Sequence, residues 1–223
     1  VKKTILFSLL ISTPIVFAQL PESLITPIEK IKKFEGYDGY IYKNMSYKDS
    51  KVINEKIGTF SSKLKYNIYT DAIELSIDSQ LYELKKTPET HVVIKNDYYY
   101  YCNFKDQLDR IKSGYYVLVE LTNNYRIYKK YTLKIDDPEK SKIIKNSSSN
   151  AGTIKLIKTY YLEKNGIINI LPTDKKTILI TFSDKKKELE KYMKKEKIRL
   201  KKEEDLMKLV AKYNALKNME SRF

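Results

Sequence analysis

The chain has 223 residues, with 43 Lys and Arg against 28 Asp and Glu, a formal charge of +15, and a single Cys and a single His. One cysteine excludes an internal disulfide framework, and one of each thiol and imidazole excludes the usual zinc ligand sets. Stability must therefore come from a packed core, which the 42% of hydrophobic residues can supply. Arginine occurs only at Arg110, Arg126, Arg199 and Arg222, and the lysines are spread along the chain rather than gathered in one arm. That pattern argues against nucleic acid as a partner, because arginine is the side chain that forks onto phosphate and guanine.

The first element in chain order is a targeting signal. Lys2 and Lys3 precede an apolar run from Ile5 to Phe17, and Val16-Phe17-Ala18 places small residues at a cleavage position. This predicts a secretory signal peptide over 1–18 and a mature chain that starts at Gln19. The sole cysteine, Cys102, lies far from that site, so a lipoprotein is not expected. No later stretch reaches transmembrane length without charge. The expected location is exported, either periplasmic or extracellular and outer-membrane associated.

Residues 19–35 read as a leader to the domain. Pro21 and Pro27 break regular structure, and Ile28, Ile31 and Phe34 suggest one amphipathic turn. From Gly36 the period becomes alternating, and 36–183 reads as a β domain. Strands are expected at Gly39–Lys43, Leu64–Tyr69 and Ile73–Ile77. A hairpin is expected from Val92–Ile94 through Asn96-Asp97 to Tyr98–Phe104. On that last strand Tyr98 and Tyr100 share a face with Cys102 and Phe104, whereas Tyr99 and Tyr101 share the other with Asn103. A second hairpin joins Tyr115–Leu121 to Tyr125–Ile135 through Asn123-Asn124. A polar loop follows over 136–152, and strands resume at Thr153–Leu162 and Thr177–Phe182. The count is nine or ten strands.

The last 40 residues, 184–223, read as a separate helical segment. Leu189, Tyr192 and Met193 form one apolar stripe, and Leu206, Leu209, Val210 and Tyr213 form a second. The stripes are offset on a common helix, so two helices are predicted, near 184–196 and 202–215, with a break around Ile198–Leu200. Glu203, Glu204 and Asp205 sit at the start of the second, where negative charge favours the helix dipole. The fold class is thus mainly β, an antiparallel sandwich or strongly curved sheet with two C-terminal amphipathic helices.

Chemistry is harder to find. His91 has no local partner that would make it a catalytic base, and no G-x-S-x-G surrounds a serine. Asp136-Asp137-Pro138-Glu139 lacks the spacing of a calcium loop. No catalytic, cofactor-binding or metal-binding residue is assigned. Glu74, Asp78 and Glu120 are conceivable acids for a glycosidase, whose carboxylates meet only in the fold. The candidate interaction residues are Tyr99 and Tyr101 on the sheet and Leu206, Leu209, Val210 and Tyr213 on the last helix.

The signal pattern, Gln19, the Tyr66–Glu74 strand pair and the acidic Lys-Glu-Glu-Asp-Leu206 helix start together resemble small uncharacterised exported proteins of Bacteroidota, of the flavobacterial type. The resemblance implies a Gram-negative envelope location. It implies no activity, and it carries over no functional residue. The expected role is non-enzymatic: a cell-envelope component that binds a protein partner or stabilises an assembly. A glycan-binding module or cryptic carboxylate-dependent hydrolase, built on tyrosine platforms, is the alternative.

Overall fold

The computed structural model describes residues 20–137 and 151–220. The signal-peptide pattern and most of the 136–152 loop lie outside them. The described residues form eleven strands in one sheet. These are β1 Ile25–Pro27, β2 Lys48–Asn54, β3 Gly58–Asn67, β4 Ala72–Ile77, β5 Gln80–Leu84 and β6 Thr90–Ile94. They continue with β7 Asp97–Lys105, β8 Ile111–Leu121, β9 Arg126–Asp136, β10 Thr153–Lys164 and β11 Ile167–Leu171. Three α-helices follow: α1 Lys175–Thr181, α2 Lys186–Lys195 and α3 Glu203–Glu220. The mainly β, antiparallel architecture expected from the alternation is present, with the helices at the C-terminal end.

The strand order is β1-β5-β4-β3-β2-β6-β7-β11-β10-β9-β8, and β8 also pairs with β7. That extra pairing closes β7 to β11 into a ring. All its links are antiparallel except β11–β7, a single parallel register pair, Ile167 with Lys105. Alternation then sorts the side chains. Phe104, Tyr116, Tyr128 and Ile168, with the half-buried Cys102, Leu118 and Tyr161, come from all five strands and fill the ring.

The outer side of the ring is covered twice. Toward one end, Tyr99, Tyr115, Val117 and Tyr131 pack with Val52, Leu64, Tyr66, Ile73 and Leu84 of the preceding strands. Toward the other, Ile127, Tyr160 and Leu171 pack with Leu179, Phe182, Leu189 and Leu209 of the helical region. Lys129 sits at the seam with its ammonium 3.0 Å from Asp97 and 3.3 Å from Glu203.

Several expectations change. Thr177–Phe182 is helical, not extended. Asp174 caps α1 by accepting from the Thr177 amide at 2.8 Å, and Ile178 and Phe182, four residues apart, face the same core. Its β-branched residues suggested a strand, but the cap and the packing decide. Gly39–Lys43 is not a strand. It is a strap that touches β10 through Asp38–Thr153 and β3 through Tyr42–Asn67. Gly39 has φ +110°, and a Cβ there would collide with the Ile154 carbonyl. The leader contributes β1, paired with β5, and buries Leu24 and Ile25 instead of forming an amphipathic turn at 28–34. Both expected C-terminal helices are present, separated at 196–202, where Lys197 takes φ 52°.

Candidate functional site

The residues singled out from sequence lie in the interior. Tyr99 is 1% exposed and Tyr101 packs beside it, because both fall on the face of β7 that turns away from the ring interior and onto the core built with the preceding strands. The exposed ring is Tyr98, at 46%. Leu206, Leu209 and Val210 are fully buried in the core that α3 makes with the chain's own sheet. Tyr213 is half-buried, with its ring stacked on Phe182 at 4.1 Å. The tail therefore covers its own sheet. Glu203 supports it by accepting from the Tyr160 hydroxyl at 2.9 Å, and Asp205 accepts from the Arg199 amide at 3.0 Å.

The conceivable acids do not form a catalytic pair. Glu74 is buried, accepting from the Asn67 amide at 2.7 Å. Asp78 is exposed in the β4–β5 turn, with φ 47°. Glu120, at the end of β8, accepts from the Tyr125 hydroxyl at 3.0 Å. His91 lies flat on Tyr100, with ring centroids 4.8 Å apart, and among the described residues its buried Nδ1 has no hydrogen-bond partner. Burial pushes the Cys102 thiol up to about 12, so it is protonated at neutral pH and a poor nucleophile. Among the described residues no group of three His, Cys, Asp or Glu side chains is placed to hold a metal ion.

One candidate binding surface is the mouth of the five-stranded ring. A cavity of about 570 Å³ opens there between the 105–111 loop, β11 and the end of α1. Its floor is Tyr116, Tyr161 and Ile168, the upper layer of the ring's own filling. The two tyrosine rings meet edge to face at 5.7 Å. Burial raises both phenols, so they stay neutral.

Two apolar side chains stand at the rim almost bare, Leu108 at 71% and Ile170 at 63% exposure. Ile111, three residues after Leu108, and Ile180, next to the lining residue Thr181, are 70% and 62% exposed. These four are among the most exposed large hydrophobic residues described, and two of them, Leu108 and Ile170, line the cavity.

The charged side of the mouth is built by Asp106. One carboxylate oxygen accepts from the amides of Leu108 and Arg110 at 2.9 and 3.0 Å, and the other holds the Arg110 guanidinium at 2.7 Å. That side-chain hydrogen bond to Arg110 holds the Asp106 carboxyl down, at about 2. Lys112 stands 3.6 Å away. An ionised carboxylate so engaged is not a proton acceptor for chemistry. It fixes the loop that presents Leu108 and leaves the rim with two cations to one anion. Elsewhere on the ring, by the β8–β9 and β10–β11 turns, Glu163 is buried, taking the Gly166 amide at 2.6 Å and Arg126 at 3.3 Å.

Sequence reasoning missed Leu108, Arg110, Tyr116, Tyr161, Ile168 and Ile170. The one available signal was Leu108, a lone large hydrophobe inside Asp106-Gln-Leu-Asp-Arg110. Compared with protein families, characterised proteins and solved structures, the chain matches none. Among the described residues no helix is long and apolar enough to cross a membrane.

Proposed function

We propose that this protein is an exported, non-enzymatic component of the cell envelope that binds a protein partner through the mouth of the ring. The carrying observation is the pair Leu108 and Ile170, held bare on either side of a concave floor of tyrosine and isoleucine. Isolated exposed hydrophobes are ordinary, but two that flank one apolar concavity mark an interaction surface. The amino-terminal signal pattern supports export. The engaged acids and the protonated thiol favour binding over catalysis.

The partner is a polypeptide segment that seats an apolar side chain between Leu108 and Ile170 and offers a carboxylate to Arg110 and Lys112. In-cell crosslinking followed by purification tests this. Wild type should retain one stoichiometric partner, and Leu108→Glu with Ile170→Glu should lose it without a fall in melting temperature. Each anchor truncated singly to Ala should cost about 1–2 kcal/mol of binding. Equal recovery of a partner by wild type and the double variant would refute the assignment.

A further inference from the structure

The solvent-facing parity of β2, β3 and β6, continued by Tyr98 at the start of β7, forms a second surface, unrelated to the mouth. Here the sheet is open to solvent and encloses a trough of about 790 Å³. The register places Ser61, Lys51, Val93 and Tyr98 in one row across the four strands. Three strand spacings make that row roughly 14 Å long. Lys63 lies in the next row, opposite Asp49, and Lys95 closes the β6 side.

We propose that this trough binds an anionic polysaccharide chain. Three features point to that ligand. First, Lys51, Lys63 and Lys95 are all exposed, and none makes an ion pair among the described residues, while the trough contains one carboxylate, Asp49. Elsewhere lysines such as Lys56, Lys105, Lys129 and Lys130 have carboxylate partners. Unpaired ammoniums converging on one concavity attract a polymer that carries acidic groups at intervals. Second, Tyr98 lies at one edge with its ring accessible, and tyrosine offers a face for the apolar side of a sugar. Thr59 and Ser61 supply hydroxyls that both donate and accept, as sugar hydroxyls do.

Third, the shape selects among polyanions. The trough is an open trench on a sheet, suited to a linear chain, and its concavity withdraws the ammoniums from a flat bilayer. It contains no arginine, the side chain best matched to phosphodiesters. The site is independent of the partner-binding mouth, so either can fail without the other.

The test uses the full chain at near-physiological salt with three probes: polygalacturonate oligosaccharides, neutral dextran and single-stranded DNA. Polygalacturonate should bind, with dextran and DNA at least tenfold weaker. Lys51→Gln, Lys63→Gln and Lys95→Gln together should weaken binding at least tenfold and flatten its salt dependence. Tyr98→Ala should weaken binding and leave the salt slope intact. The control removes equal charge from Lys187, Lys191 and Lys194, which line a separate groove of about 550 Å³ beside α2; binding should be unchanged. Equal losses in both triple variants, DNA binding as tight as polygalacturonate, or no polygalacturonate binding would each overturn the proposal.

Discussion

Asp71 shows how much of this molecule rests on single side chains. It turns the chain from β3 to β4 with φ 51°, a conformation that Asp and Asn tolerate better than most residues. Its carboxylate leaves that turn and inserts where β8 and β9 part. There it accepts from the Tyr66 hydroxyl, from the Tyr115 amide at 3.2 Å and from the Lys130 ammonium at 3.0 Å. Gly114 makes room, because a Cβ on it would fall on that ion pair. Asp71→Ala strands a main-chain amide, a phenol and a cation together, so it should cost about 3–4 kcal/mol in urea unfolding. Asp71→Asn keeps the turn and an acceptor and should cost about half as much. A loss below about 1 kcal/mol for the alanine variant would show that Asp71 is not a tie between the two parts of the sheet.

At the scale of elements, the helical tail is the most consequential. Its apolar stripes were legible, and so was the break between them, because 3.6-residue periodicity depends only on local sequence. Where the stripes dock was not legible. Leu209 and Val210 share a core with Ile127 and Tyr160, residues at least 49 positions earlier, and periodicity carries no address. A chain that ends at residue 183 would expose Ile127, Tyr160, Leu171 and Phe182 at once. It should lose near-UV circular dichroism and dispersed amide resonances. A native spectrum from that truncation would instead make the tail an appendage.

The strands divide similarly. The β6–β7 and β8–β9 hairpins were read correctly in outline, since alternation and turn residues sit side by side in sequence. Lys48–Asn54 and Gln80–Leu84 were missed, because charged and polar residues interrupt their pattern and neighbouring strands make them extended. The β7 alternation correctly separated Tyr98 and Tyr100 from Tyr99 and Tyr101. It gave no sign which pair faced water.

Over the whole molecule, a ring of five strands carries two different covers on its outside, and Lys129 is shared between them through Asp97 and Glu203. That arrangement leaves the two ends of the ring free to differ. One carries the Glu163–Arg126 pair beside the β8–β9 turn, and the other opens between Leu108 and Ile170. Nothing in the sequence brought those two residues together. They come from a polar loop and a short strand 62 positions apart, and the ring closure that joins their elements is a single register pair between β11 and β7. Charge was equally uninformative at this scale: the +15 total says nothing about which lysines stand unpaired.

The central claim is that this open end is where a protein partner sits. Photo-crosslinking tests it most directly, with the reactive side chain placed singly at position 108, at position 170 and, as a control, at the exposed position 45. In cells of the source organism, 108 and 170 should capture the same protein, at mapped sites within one segment of it, and 45 should not. Crosslinks absent from 108 and 170, or no stronger there than at 45, would contradict the account.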